Sequence, residues 1–122
     1  MEKNRNLLIS FRNALTGMAF GIRSERNLKI HLGIAAAVLI LGFVYHISLI
    51  EFCILIITIG AVLICELFNT ALEVIVDMIV DEFHPKAKIA KDVAAGAVFI
   101  STVIAVLVGI LIFIGRIFPQ VG

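Results

Sequence analysis

The sequence lacks the glycine-rich motifs that hold phosphate in many nucleotide-binding proteins. It contains neither GxxxxGK followed by Ser or Thr nor GxGxxG, which excludes a P-loop and a dinucleotide-type phosphate cradle. Gly17 and Gly21 form only a GxxxG pair with no lysine after it. A nucleotide bound to this chain would therefore be held by side chains and a metal ion.

The sequence also has little net charge and little cysteine. The formal net charge of +1 gives no indication of nucleic-acid binding, and we expect no nucleic-acid partner. The two cysteines, Cys53 and Cys65, lie in apolar runs and have no CxxC or metal-ligand spacing. We interpret both as small packing residues.

Apolar residues are abundant instead. They make up 61% of the 122 residues, and the mean hydropathy is +1.14, both well above what a soluble domain shows. The length allows one domain. We therefore predict a single all-α integral membrane domain over residues 1–122.

Three long apolar runs predict three transmembrane helices, at residues 31–47, 49–81 and 88–117. At about 1.5 Å per residue the second helix would be roughly 50 Å long, whereas the hydrocarbon core of a bilayer is only ~30 Å thick. We expect the second helix to extend beyond the membrane at its C-terminal end.

Before the first of these runs, residues 5–23 show the periodicity of an amphipathic helix. Apolar side chains recur there at spacings of three and four, among basic and polar ones, which is typical of a helix lying in the headgroup plane. An ordinary helix packed against other helices would show the same spacing. The apolar positions are Leu8, Phe11, Leu15, Met18 and Ile22.

Basic residues predict the orientation. Six of the ten Lys and Arg residues precede the first apolar run, and three more lie between the second and third runs. By the positive-inside rule the N-terminus and the 82–92 loop are cytoplasmic and the C-terminus is outside.

One face of the second helix is acidic. Glu66, Asn69, Glu73 and Asp77 fall within an arc of about 80° on a helix. A charge at mid-bilayer depth costs roughly 2.5–3.5 kcal/mol even on lenient scales, so several on one face suggest a cation site. Three helices offer little interior for them, and we expect a homo-oligomer that shares them between chains.

Further polar residues lie at the same membrane surface. Glu25 and Glu73 are predicted at one depth and could hold Mg²⁺, which usually takes one or two carboxylates together with phosphate oxygens and water. A salt bridge from Glu25 to a nearby arginine is the alternative. Glu66, at the apolar edge, suits a general base, or else an interhelical hydrogen bond.

The start of the third helix carries both signs of charge. Lys88, Lys91 and Asp92 stand at i, i+3 and i+4; the lysines suit phosphate or simply anchor the helix at the membrane surface. We interpret His31 and His46 as interfacial residues rather than metal ligands.

At these residues the sequence resembles the small prokaryotic diacylglycerol kinase and undecaprenol kinase family. Residues 66–77, ELFNTALEVIVD, are similar to the family signature E-x-x-N-(S/T)-A-(I/L)-E-x-x-(I/V)-D. Residues 90–98 match A-K-D-x-x-(A/S)-x-A-V, and residues 82–84 match E-(Y/F)-H. The resemblance covers nearly the whole chain.

The resemblance implies a homotrimer of three-span subunits, each with a surface helix, and active sites shared between neighbours. It implies that Glu66 is the general base for a lipid hydroxyl and that Asn69 orients groups beside it. Asp77 receives no chemical step, although it belongs to the signature.

The same resemblance implies ATP as co-substrate and Mg²⁺ as cofactor. Glu25 and Glu73 would carry the metal ion that bridges the ATP phosphates. The residues implied in nucleotide contact are Glu82, His84, Lys91 and Asp92.

The N-terminal region lacks the tryptophan of the enteric diacylglycerol kinases. Residues 24–27, SERN, with Ile30 and His31 resemble the Gram-positive branch instead, whose members are similar to undecaprenol kinases. We therefore predict an ATP-dependent lipid kinase of the bacterial plasma membrane that favours undecaprenol over diacylglycerol. A small cation transporter and a non-enzymatic membrane scaffold are the rival interpretations.

Overall fold

The computed structural model describes the backbone of residues 3–119 and the side chains of residues 6–119. Within that range the chain forms four helices and no strand: α1 Lys3–Ser24, α2 Arg26–Val44, α3 Leu49–Ile79 and α4 Pro85–Ile117. Helices α2, α3 and α4 are each long and apolar enough to cross a membrane. The predicted all-α membrane fold with an N-terminal helix is confirmed, whereas the homotrimer stays a prediction.

Helices α3 and α4 form the main contact of the subunit. They run antiparallel, because Glu51 near the start of α3 pairs with Arg116 at the end of α4, and Asp77 near the end of α3 pairs with Lys91 near the start of α4. Near the Glu51–Arg116 end of the helix pair lies a small apolar core of Ile47, Leu55, Ile112 and Phe113.

Helix α3 is 31 residues long, or roughly 46 Å at about 1.5 Å per residue. It exceeds the ~30 Å hydrocarbon thickness, so part of it lies beyond the membrane core. Many large apolar side chains on all three long helices are exposed, such as Ile57, Phe99 and Leu111. Such outward apolar faces suit lipid tails or neighbouring subunits.

The turn from α2 to α3 is built by backbone geometry. His46 has a positive φ of 51°, in the left-handed region that often ends a helix. Its N–H donates to the carbonyl of Phe43 at 3.3 Å, and the N–H of Ile47 donates to that of Gly42 at 3.1 Å. This pair of bonds is the Schellman motif, and it satisfies two carbonyls at the end of α2.

Helix α3 then begins with a capping box. The hydroxyl of Ser48 accepts the N–H of Glu51 at 3.2 Å, and the carboxylate of Glu51 accepts the N–H of Ser48 at 2.9 Å. The two bonds satisfy donors that the first turn of a helix leaves free. Together with the Schellman motif they fix the tight return of the chain.

Helix α1 is exposed from residue 6 to residue 18, and burial begins at Ala19. Its close approach to α3 depends on Gly21, where a Cβ atom would lie 2.7 Å from a methyl carbon of Leu67. Helix α1 therefore packs on α3 near its C-terminal end only. That junction places Glu25, the residue between α1 and α2, beside the acidic face of α3.

Candidate active site

The most enclosed polar side chain is Glu66 on α3. The residue is 2% exposed, and its Oε1 lies 2.9 Å from Nδ1 of His31 on α2. Neither atom has an aligned hydrogen bond within the described residues, so this is a close polar contact rather than a linear bond. Thr70, also buried, donates its hydroxyl to the backbone carbonyl of Glu66 at 3.0 Å.

The contact of His31 with Glu66 was not predicted from the sequence. We interpreted it as interfacial, yet the structure sets its half-buried imidazole against Glu66. The spacing along the chain could not reveal the contact, because the two residues belong to different helices. The available signal was its position in the 24–31 segment that carries the family resemblance.

His31 also lines an apolar cleft of about 380 Å³ between α2, α3 and α4. The cleft contains no other ionisable side chain, and its few polar groups include Thr58 and Thr102. The remaining lining residues are apolar, for example the aliphatic Ile34 and the aromatic Phe113. An apolar chain in the cleft would therefore meet His31 as its one ionisable neighbour.

Asn69 and Glu73 follow Glu66 on the same face of α3. The side-chain nitrogen of Asn69 donates to Oε1 of Glu73 at 3.3 Å. The amide oxygen of Asn69 is enclosed and has no hydrogen-bond partner in the described part of the chain. Asn69 thus fixes the Glu73 carboxylate and leaves an unused acceptor beside it.

Glu25, at the junction of α1 and α2, lies near Glu66 and Glu73, and these three carboxylates form the acidic group of the site. Its burial, then the charge of Glu73 and then that of Glu66, raise the pKa of Glu25. The three carboxylates are therefore close enough to repel one another. The alternative salt bridge is not observed, since among the described side chains no Lys or Arg nitrogen lies within 4.0 Å of Glu25.

The described residues do not by themselves form a complete metal site. Over the residues that the structure describes, no group of three or more His, Cys, Asp or Glu side chains is placed to hold an ion. The predicted pair of Glu25 and Glu73 is smaller than such a group. It has the composition that Mg²⁺ uses when phosphate oxygens and water complete its shell.

A second, polar cleft of about 450 Å³ lies where α3 ends and α4 begins. It brings together three of the predicted nucleotide-contacting residues, Glu82, His84 and Lys91. The fourth, Asp92, does not line the cleft, although its carboxylate pairs at 2.6 Å with Lys88, which does. The cleft is lined by Val76, Asp77, Val80, Asp81, Glu82, Phe83, His84, Ala87, Lys88 and Lys91.

Local structure orients two of these residues. Nδ1 of His84 accepts the N–H of Lys86 at 3.1 Å and so caps α4, which leaves Nε2 as the proton-bearing atom of the neutral ring. Nζ of Lys91 lies 2.5 Å from Oδ1 of Asp77. Asp77 thus holds Lys91 in the cleft, a role that the sequence did not indicate.

Lys91 connects the two parts of the site. The charge of Glu73 acts on Lys91 in addition to that of Asp77, so the polar cleft lies next to the acidic group on α3. The buried Glu66 lies about two helical turns before Glu73 on α3. It is beside His31, which lines the apolar cleft. A polar and an apolar compartment therefore meet at one row of carboxylates.

Comparison with known proteins matches residues 12–113 to the prokaryotic diacylglycerol kinase family. The undecaprenol kinase of Bacillus subtilis is 47% identical over 107 residues, covering 88% of this chain and 87% of the relative. The diacylglycerol kinase of Synechocystis is 44% identical over 105 residues, covering 85% of this chain and 60% of the relative. The chain belongs to the prokaryotic diacylglycerol kinase family.

Proposed function

We propose that this protein is a multi-pass membrane lipid kinase that transfers the γ-phosphoryl group of ATP to the hydroxyl of undecaprenol. The observation that carries the proposal is the buried carboxylate of Glu66. It lies beside His31, which lines the apolar cleft, and it is also close to the acidic group next to the polar cleft. A phosphoryl transfer between a lipid and a nucleotide needs such a meeting point.

Glu66 acts as the general base in this proposal. It accepts the proton of the lipid hydroxyl while the hydroxyl oxygen bonds to the γ-phosphorus. The bond from that phosphorus to the β–γ bridging oxygen breaks, and ADP leaves. Burial suits this role, because water does not compete with the lipid hydroxyl for the oxygens of an enclosed carboxylate.

Glu25 and Glu73 would hold Mg²⁺ when ATP is bound. The fit rests on their mutual repulsion, since neighbouring carboxylates that repel one another favour a cation between them. The ion would neutralise part of the phosphate charge. Asn69 fixes the Glu73 carboxylate through its amide and so preserves the spacing of the pair.

The polar cleft binds the nucleotide. Lys91 exchanges its partner Asp77 for a phosphate oxygen, and the Nε2 proton of His84 donates to the nucleotide. Glu82 and Asp92 accept hydrogen bonds from it, as carboxylates do. We place this cleft and the N-terminus in the cytoplasm, where the basic residues around α1 and before α4 favour them.

The lipid preference is supported by the B. subtilis relative, which is named for undecaprenol. The apolar lining of the cleft suits the hydrocarbon chain of a lipid alcohol. Diacylglycerol is the second candidate acceptor, favoured by the family description and by the Synechocystis relative. A homotrimer would supply further residues to each site.

The test is a radiolabelled phosphate-transfer assay on the pure protein in lipid, with undecaprenol and diacylglycerol in competition. We expect label in undecaprenyl phosphate, and a loss of about 10²- to 10⁴-fold in kcat for Glu66→Gln. Near-normal turnover by a folded Glu66→Gln protein would refute the assigned base. Label in phosphatidic acid alone would replace undecaprenol by diacylglycerol.

A further inference from the structure

The contact between Glu66 and His31 requires its own explanation. Glu66 has a side chain that is 3% exposed, and that of His31 is 22% exposed. A buried carboxylate without a polar partner is costly. In the described part of the chain, His31 is the side chain that comes within ion-pair distance of Glu66, whereas Asn69 is bonded to Glu73 and Thr70 to a backbone oxygen.

We propose that His31 is a positioning residue for this base, a role that rests on the proposed kinase function. Nδ1–H of His31 donates to Oε1 of Glu66 and holds the carboxylate in one orientation, so that its other oxygen is the one that takes the proton of the lipid hydroxyl. An ionised carboxylate only accepts hydrogen bonds, so the proton of this contact belongs on Nδ1.

The geometry favours this over simple packing. The two atoms are already 2.9 Å apart, and a small rotation of the ring aligns the N–H with the carboxylate. His31 also lines the apolar cleft while Glu66 does not, so a lipid alcohol arriving through the cleft passes His31 before it reaches the base.

The test uses three variants that differ in the position of a donor. His31→Asn keeps an N–H near the place of Nδ1, His31→Gln moves it toward the place of Nε2, and His31→Leu removes it. We expect His31→Leu to lower kcat at least about tenfold but less than loss of the base itself. The KM for ATP should not change. His31→Asn should recover most of kcat and His31→Gln should recover little.

Two further measurements separate positioning from structure. In a Glu66→Gln background His31→Leu should have no additional effect on kcat, because the group that it positions is already lost. The ¹⁵N resonance of His31 Nδ1 should shift on Glu66→Gln even in protein without substrate. His46→Leu is the matched control, since that imidazole lies in the exposed turn at the other end of α2.

Three results would overturn the proposal: full kcat in His31→Leu, equal losses in His31→Asn and His31→Leu, or an unshifted Nδ1 resonance. If His31→Leu does not fold in detergent, the comparison of His31→Asn with His31→Gln decides, together with the resonance. An inactive wild-type protein would refute the kinase function instead, and the resonance would still report on the contact.

Discussion

Arg116 donates to both carboxylate oxygens of Glu51, from Nη1 to Oε2 at 2.9 Å and from Nη2 to Oε1 at 2.7 Å. The same Nη1 donates to the carbonyl of Ile112 at 2.7 Å. This bidentate salt bridge joins the last turn of α4 to the first turn of α3. It lies at the opposite end of the two helices from Asp77 and Lys91. Along α3 the distance from Glu51 to Glu66 is roughly 22 Å at about 1.5 Å per residue.

Replacing Arg116 should therefore affect stability and leave the chemistry intact. We expect Arg116→Leu to lower the midpoint of thermal unfolding in detergent, because Glu51 loses the two guanidinium donors and keeps only the Ser48 N–H. Arg116→Lys should fall between wild type and Arg116→Leu, since an ammonium group does not reproduce the planar fork. Thermal unfolding and kcat of the folded fraction are the two measurements. A large loss of kcat with an unchanged midpoint would contradict this assignment.

Lys91 and Asp77 should have opposite effects on nucleotide binding. We expect Lys91→Met to raise the KM for ATP roughly tenfold, which is about the discrimination of one charged contact. Asp77→Asn removes an anion that competes with phosphate, so the KM for ATP should fall, by at most about fivefold because exposed ion pairs are weak. Steady-state kinetics at varied ATP measure both effects. A higher KM in Asp77→Asn would show that Asp77 binds nucleotide or its metal ion itself.

The pKa of Glu25 predicts a pH dependence of stability. Because burial and the charges of Glu73 and Glu66 raise this pKa in the folded protein, folding favours the protonated carboxyl. Its contribution is present at low pH and is lost as pH rises through the raised pKa. Over the pH range above the ordinary carboxyl pKa of 4.5, unfolding midpoints should therefore fall less with rising pH in Glu25→Gln than in wild type.

Mg²⁺ should reverse the same loss. If Glu25 and Glu73 hold the ion as proposed, it binds their ionised carboxylates, so added Mg²⁺ should raise the unfolding midpoint of wild type more at the upper end of that range than at the lower end. Glu25→Gln serves as the control and should show a smaller Mg²⁺ effect at every pH. An equal Mg²⁺ effect in both proteins would remove Glu25 from the metal site.

The turn at His46 predicts a gain in stability. A side chain in the left-handed region is strained by about 1–2 kcal/mol, and glycine avoids the strain while losing more entropy on folding. His46→Gly should therefore stabilise the protein by up to about 1 kcal/mol. His46→Ala keeps a Cβ atom and should give no gain. Equilibrium unfolding in mixed detergent measures both, and a destabilised His46→Gly would mean that the imidazole itself stabilises the turn.

Particular elements show how far the sequence could be interpreted without the structure. The uncharged runs within α2, α3 and α4 predicted three apolar helices correctly, since burying a charge in a bilayer is costly and charge-free runs of that length are rare otherwise. The family followed from residues 66–77, and the comparisons confirm it. The roles of Glu25, Glu66 and Glu73 remain predictions, which the structure supports only by proximity.

The side chains that contact one another between helices could not be predicted from the sequence. His31 with Glu66, Lys91 with Asp77 and Arg116 with Glu51 each join two helices, and the spacing along one helix gives no information on the rotation of another. The positive φ of His46 was not predicted either, because residues other than glycine adopt a positive φ in only a few per cent of cases.

The sequence by itself determined the membrane class, the helix count and the family, because hydropathy and a motif on one helix face are local properties of the chain. Only the tertiary structure decided which side chains meet. The antiparallel packing of α3 on α4, and the approach of α2 to α3, set the clefts and gave the buried Glu66 a histidine as its neighbour. Those distances depend on how whole helices rotate and slide against one another, which side-chain packing determines.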